Sequence, residues 1–314
     1  MGKRGIRFIE LAVILFLVAV VGLIALPAVQ SARMRKAEAM NRTICASHLK
    51  QWAMVFRLYA DESKGNHYPP NTAETVEDLV LDLSCVYPSY VLDPSTVSCP
   101  SDVEVSMPAQ FDTLSPPERL AAVQEANGSY NYFGWVFDRM EEVPEQCLSL
   151  AEAAPTLSKA MGDLSRIMAK HGRHPGGSGA VSPPVPVCAQ IACTLESVLQ
   201  RADAPARAEA VRNDADLPQP HGNSGGAKVF RLRTGIARFL TTDANPSSTV
   251  LAETEGRIPV LFDAFASANT VAYFNHLPGG SNVLYLDGHV AFSRFPNAVG
   301  PVTKPVGQIL GLTL

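Results

Sequence analysis

MGKRGIRFIELAVILFLVAVVGLIALPAVQ, residues 1–30, is the stretch that decides the organisation of this chain. A short basic leader ends at Gly5, and a single carboxylate, Glu10, precedes an apolar run over residues 11–26. The next charge is Arg33, so about 22 residues pass without one. Because an α-helix rises about 1.5 Å per residue, this segment is long enough to cross a hydrocarbon core about 30 Å thick. The sequence therefore predicts a membrane helix.

Three interpretations of this segment compete. A cleaved secretory signal has an apolar region of only about 7–15 residues and a small-x-small cleavage site, whereas the run here is longer and residues 28–32 form a poor site. A plain membrane anchor fits the length but leaves Glu10 unexplained, because a carboxylate at the edge of an apolar helix is costly and usually marks a partner. The third interpretation, a processed membrane helix, supplies that partner.

The stretch from Lys3 to Leu11, KRGIRFIEL, resembles the N-terminus of type IV prepilins and type II secretion pseudopilins. The resemblance implies that a membrane aspartyl peptidase cuts between Gly5 and Ile6 and that the new N-terminus is methylated. It also implies that Glu10 pairs with the N-terminal amine of a neighbouring subunit. The implied partners are the prepilin peptidase/N-methyltransferase, other pilin or pseudopilin subunits, and the inner-membrane secretion or pilus machinery.

Composition and charge narrow the class of protein further. The 314 residues, 46% of them hydrophobic, suffice for one membrane segment and one or two modest domains. A net charge of −4 gives no basic field for nucleic acid. Lys3 and Arg4 belong on the cytoplasmic side by the positive-inside rule. We therefore expect a single-pass protein of a bacterial inner membrane, with its head in the periplasm or outside the cell after assembly, where disulfides form.

Apolar residues continue at helical spacing as far as Tyr59, and Pro69 and Pro70 close the element. We predict one helix from Ile6 to about Ser63, half in lipid and half packed on a domain; the alternative is an anchor followed by an unrelated core helix. The predicted parts of the chain are the leader 1–5, the transmembrane half-helix 6–30, the amphipathic half-helix 31–64, the first part of a head 65–137, a loop-rich insertion 138–227 and a C-terminal β part 228–314.

Residues 129–137, SYNYFGWVF, are rich in aromatic side chains and predict a strand. Successive side chains of a strand point to opposite faces. The alternation puts Tyr130, Tyr132 and Val136 on one face, and Phe133, Trp135 and Phe137 on the other. Packing on the long helix is the favoured interpretation, and a carbohydrate-binding aromatic platform is the alternative.

Residues 275–290, NHLPGGSNVLYLDGHV, predict a hairpin around Asp287 and Gly288, because a two-residue type I′ turn needs positive φ at both central residues. Such a turn pairs Val283 with Phe292 and Tyr285 with Val290. It places Leu284, Leu286, His289 and Ala291 together on the other face.

This stretch also resembles the H-X9-DG motif of a large prepilin-like family abundant in planctomycete-type bacteria. Ten residues rather than nine separate His276 from Asp287 here. The resemblance implies structural roles for His276, Gly279, Gly280, Asp287 and Gly288, with His276 holding the loop by hydrogen bonds. It extends to CASHLKQ at residues 45–51, VSCPSD at 97–102 and IPVLFD at 258–263, and covers about half of the chain.

Six cysteines form an even set with 15 full pairings and without the CxxC spacing of zinc or redox sites. Cys45 and Cys99 fall within two of the family-like stretches, so the resemblance implies that they join the helix to the head. Such a disulfide would stabilise the fold by about 4 kcal/mol on the chain-entropy model.

We predict neither catalytic residues nor a metal or other cofactor. No Gly-x-Ser-x-Gly places a nucleophile, and the turn itself explains Asp287 and His289. The alternative is a zinc or calcium site that uses His276, Asp287 and His289.

The predicted fold class is therefore α+β and pilin-like, with the outer half of one long N-terminal helix packed on an antiparallel sheet. The predicted function is that of a structural subunit of a type II secretion or type IV pilus-like fibre, and not of an enzyme. Two alternatives are a membrane-anchored extracytoplasmic binding module and an anchored metal-dependent hydrolase.

Overall fold

The structure, a computed structural model, describes residues 8–73, 79–102, 107–149, 152–153, 186–201, 203–268, 271–276 and 279–313. The predicted cleavage site, Gly5 and Ile6, lies outside these residues, as does the part of the predicted insertion at residues 154–185. Glu10 belongs to a helix, but its side chain is not among those described. Among the described residues, no helix has the length and apolarity required to cross a membrane.

Helices and strands alternate irregularly along the described chain. The α-helices are α1 (Phe8–Glu62), α2 (Pro116–Glu125), α3 (Ala189–Leu199), α4 (Ala204–Ala210), α5 (Ser248–Glu255) and α6 (Lys304–Thr313). The strands are β1 (Tyr130–Tyr132), β2 (Cys147–Leu148), β3 (Val187–Cys188), β4 (Ala215–Asp216), β5 (Lys228–Val229), β6 (Pro259–Asp263), β7 (Phe265–Ala268), β8 (Val271–Phe274), β9 (Gly280–Tyr285) and β10 (Val290–Arg294). Short 3-10 helices cover Lys64–Asn66, Leu83–Cys85, Pro94–Val97, Phe111–Thr113, Pro144–Gln146, Asn223–Gly225 and Ile236–Phe239.

Helix α1 confirms the prediction of one long N-terminal helix. It is 55 residues long, and Pro27 lies inside it without ending it. It ends where Ser63 donates a backbone hydrogen bond to Tyr59 and Gly65 takes a φ of 77°, a conformation that glycine adopts at little cost. The described apolar side chains of its first part face outward, whereas Cys45 is fully buried against the head.

A four-stranded antiparallel sheet with the order β1-β6-β9-β10 forms the centre of the head. Strand β1 pairs Tyr130 with Asp263 and Tyr132 with Leu261. Strand β9 lies between β6 and β10, so its backbone is hydrogen-bonded on both sides. The α+β class and the antiparallel sheet are therefore confirmed.

The sheet separates two apolar clusters. On the α1 side, Tyr130, Tyr132 and Leu284 pack with apolar side chains from residues 45–60 of the helix. The opposite cluster draws on α3 and α6 as well as the sheet, including Phe133, Trp135, Phe137, Phe262 and Val283. The predicted division of the aromatic stretch into two faces is confirmed, although regular strand structure covers only the three residues of β1.

The predicted register of the C-terminal hairpin is wrong by one residue. Val283 lies opposite Ala291 rather than Phe292, and Leu284 lies opposite Val290. Gly288 has a φ of 92° and donates its backbone N–H to the Tyr285 carbonyl, whereas Asp287 does not have positive φ. The turn is thus a three-residue loop with glycine in its last position, another common hairpin geometry. One residue of shift exchanges the faces of a strand, which brings Val290 to the α1 side.

Two packed elements went unpredicted. Helix α3, within the segment predicted to be loop-rich, buries Ile191 and Leu195 in the second cluster. Helix α6 follows the last strand and buries Val306, Ile309 and Leu310 in the same cluster, beside strand β7.

Phe56 is the centre of the packing between α1 and the sheet. It is fully buried, and its ring centroid lies 5.3 Å from that of Tyr132 and 5.5 Å from those of Trp52 and Tyr68. Phe56→Ala should lower the free energy of unfolding by about 3–5 kcal/mol, because it deletes buried area and leaves a cavity. Urea unfolding of the detergent-solubilised full chain, followed by tryptophan fluorescence, measures this loss.

Met54→Ala is the matched control, because Met54 lies on the same helix with 63% of its surface exposed. Its effect should stay within about 0.5 kcal/mol. Equal losses in the two variants would show that this face of α1 is not packed on the sheet.

Candidate functional site

Four polar side chains meet in one buried group between α1 and the sheet. Cys45, Cys99, Asp263 and His276 each offer one ligand-type atom, and these atoms lie within 4.8 Å of one another. All four residues are buried. We refer to them as the Cys-His-Asp cluster.

Each residue of the cluster is placed by a separate element. Cys45 begins the buried part of α1, and Cys99 follows the 3-10 helix Pro94–Val97. Asp263 is the last residue of β6, two positions after Leu261, so the pleat turns both toward α1. His276 stands just after β8. All four lie in stretches that resemble the prepilin-like family, and Asp263 is the last residue of its stretch.

His276 is held between two carboxylates. Its Nδ1 lies 2.7 Å from Glu38 Oε1 on α1, and its Nε2 lies 3.0 Å from Asp263 Oδ2 on β6. Burial lowers the pKa of His276, but hydrogen bonds to Asp263 and Cys99 overcome this effect and raise it to about 10. The imidazole therefore bridges the two carboxylates and links α1 to the sheet.

The two thiols are in direct contact. Cys45 Sγ lies 2.7 Å from Cys99 Sγ, and both cysteines are free. The hydrogen bond from Cys45 lowers the pKa of Cys99 to about 7, and the same bond, with burial, raises that of Cys45. Cys99 Sγ also lies 3.6 Å from His276 Nε2. The sulfurs that the family resemblance pairs are thus adjacent, and the disulfide itself stays a prediction.

Asp263 has one satisfied and one unsatisfied oxygen. Asn282 donates to Oδ2 from its backbone nitrogen at 2.8 Å and from Nδ2 at 2.7 Å. Oδ1 is buried and has no hydrogen-bond partner among the described residues. A buried carboxylate oxygen without a donor is costly.

Tyr130 covers the thiol side of the cluster. Its hydroxyl lies 3.9 Å from Cys45 Sγ and 3.4 Å from His48 Nδ1. Burial, together with the nearby charges of Cys45 and Asp263, raises the pKa of Tyr130 well above its usual range. The phenol therefore stays protonated, and it is a hydrogen-bond donor toward the sulfur.

The other residues of the predicted C-terminal motif lie in the hairpin. Asp287 accepts from His289 through the backbone nitrogen and through Nδ1, and the histidine ring stacks on Tyr285. Neither residue belongs to the Cys-His-Asp cluster, so His276, Asp287 and His289 do not form one group of ligands among the described residues.

Two glycines of the motif have different roles. A Cβ on Gly280 would stand 2.5 Å from the Ser293 carbonyl oxygen, so only glycine allows β9 and β10 to approach here. Gly279 has a φ of 124°, which side-chain-bearing residues rarely adopt.

The aromatic side chains that could have formed an open platform are enclosed. Tyr130, Tyr132 and Trp135 are each less than 5% exposed, so they present no surface to a glycan.

Buried Arg231, which sequence reasoning missed, donates to the backbone oxygens of Gly134, Tyr68 and Pro69.

No protein-family model, curated protein or solved structure matches this chain. The likeness to prepilins therefore stays an expectation drawn from the sequence.

Asn282 couples the cluster to both the sheet and the helix. Besides Asp263, its Nδ2 lies 3.3 Å from the Arg42 backbone oxygen of α1. Asn282→Ala should lower the free energy of unfolding by about 1.5–3 kcal/mol, because it removes a buried hydrogen bond to a charged group. Asn297→Ala, which removes an amide bonded to Ser293 at an exposed position, should change it by less than about 0.5 kcal/mol. Urea unfolding of both variants measures the difference, and equal effects would contradict the role of Asn282.

Proposed function

We propose that this chain is a pilin-like structural subunit of a type II secretion or type IV pilus-like fibre, anchored in a bacterial inner membrane before assembly. One observation carries the proposal: a single helix joins an outward-facing apolar part to a part packed on an antiparallel sheet. Such a helix suits a subunit that is held in the fibre by one end and carries a head at the other.

The apolar part of α1 supports this role through its exposure. Leu15, Phe16, Leu23 and Leu26 are each more than 60% exposed. Large apolar side chains exposed together mark a surface that contacts lipid or another protein. In the proposed cycle, the half-helix lies in lipid before assembly and packs against the half-helices of other copies in the fibre.

The N-terminal sequence supplies the remaining parts of the proposal. A prepilin peptidase cuts after Gly5 and methylates the Ile6 amine. The new amine of one subunit then pairs with Glu10 of its neighbour. Because an unpaired charge is costly in an apolar medium, this pairing fixes the axial stagger between adjacent helices.

Processing is the first test of the proposed function. We expect the full chain, recovered from membranes of a host that has a prepilin peptidase, to begin at N-methylated Ile6 by intact mass and N-terminal sequencing. Gly5→Leu should leave the chain starting at Met1, because a large side chain at the cleavage position obstructs the peptidase. A wild-type chain that also starts at Met1 would overturn the proposed processing.

Assembly is the second test. Glu10→Ala should reduce recovery of the subunit in sheared fibres by about tenfold or more, since the neighbouring amine is left unpaired in an apolar medium. Glu10→Asp keeps the charge and should lose less. Glu62→Ala, at the head end of the same helix, should assemble normally. Fibres that take up Glu10→Ala as well as the wild type would refute the pairing.

A further inference from the structure

The Cys-His-Asp cluster has the composition of a closed metal site. We propose that, with both thiols reduced, Cys45, Cys99, Asp263 and His276 bind one zinc ion. This proposal does not rest on the fibre function, because the cluster lies wholly within the head and against the buried part of α1.

The donor set favours zinc over other common ions. Two thiolates, one imidazole and one carboxylate are all ligands that zinc takes in proteins, and a structural zinc site is usually four-coordinate and tetrahedral. Calcium and magnesium prefer oxygen ligands, so two sulfurs exclude them as the natural occupant. With the four ligands in place, the ion has no open position for a substrate, which makes the site structural.

The unsatisfied oxygen of Asp263 points independently to a missing cation. Its Oδ2 is held by Asn282, while Oδ1 is buried without a partner among the described residues. A zinc ion bound by Oδ1 would satisfy this atom and offset two of the three negative charges that two thiolates and a carboxylate bring into an apolar interior.

The surroundings of His276 match those of a zinc-bound histidine. A ligating histidine usually donates its other ring N–H to a carboxylate, which fixes the ring and raises its basicity. Here Glu38 Oε1 lies 2.7 Å from Nδ1, leaving Nε2 directed at Asp263 and Cys99. On binding, zinc takes the place of the Nε2 proton.

A modest movement of the sulfurs completes the site. Two thiolates on one tetrahedral zinc ion lie about 3.8 Å apart, whereas the sulfurs of Cys45 and Cys99 are 2.7 Å apart. A small χ1 rotation at either cysteine supplies the difference of about 1 Å. A Cys45–Cys99 disulfide would remove both thiolates, so the disulfide and the zinc site exclude each other.

The test is zinc binding by the full chain, purified in detergent under reducing, oxygen-free conditions and stripped with a chelator. We expect uptake of about one zinc ion per chain, measured by competition with a chromophoric chelator. Cobalt(II) added instead should give the thiolate charge-transfer band and the intense visible bands of a tetrahedral site.

Variants distinguish the cluster from adventitious binding. Cys99→Ser and Asp263→Asn should lose zinc and the cobalt spectrum, and Glu38→Gln should bind zinc about 10–100-fold more weakly. Cys193→Ser, at a partly buried cysteine outside the cluster, and Glu62→Gln, on the same helix as Glu38, are controls that should bind as the wild type does.

Circular dichroism establishes that each variant is folded. Glu38→Gln decides the question if the buried substitutions do not fold, because the Glu38 side chain is 21% exposed and the change keeps its size and shape. A folded, reduced wild-type chain that takes up no zinc would overturn the proposal. Uptake that Glu38→Gln leaves unchanged would overturn it equally.

Discussion

The continuity of α1 is the constraint on which the rest of the structure depends. A helix satisfies its backbone hydrogen bonds internally, so α1 runs through 55 residues although its side chains meet two different environments. Only the second part has a sheet to pack on, and Phe56, Trp52 and Tyr132 fill that contact with aromatic rings. Among the described residues nothing covers the first part in this way, and its described large apolar side chains are exposed.

The polar cluster adds directional contacts to the otherwise apolar packing between α1 and the sheet. Apolar packing is non-directional and tolerates small sliding, whereas Glu38 and His276 meet at one distance and one angle. Burying these charges offers little net stability, because desolvation opposes the attraction between them. We infer that their contribution is to fix the rotation and the axial position of α1 on the sheet.

The spacing of apolar residues along the sequence predicted the long helix and the two faces of the aromatic stretch. Contacts between residues far apart in the sequence could not be predicted in this way. The predicted hairpin register was wrong because it assumed a positive φ at Asp287. An Asp-Gly pair fits both two- and three-residue loops. The four members of the cluster stood in separate family-like stretches, which did not show that they meet, and Glu38 contacts His276 across 238 positions. The sequence analysis did not single out Arg231, because it donates to backbone oxygens that no sequence pattern marks.

The strand order has a consequence for how the protein is made. Strand β9, which is hydrogen-bonded on both sides, follows α1, β1 and β6 in the chain and is therefore synthesised after them. Until residue 285 has emerged from the ribosome, one edge of β6 has no partner strand, and the part of α1 that β9 covers is exposed. A chain interrupted before residue 285 therefore displays the kind of open strand edge and apolar surface that chaperones and proteases recognise.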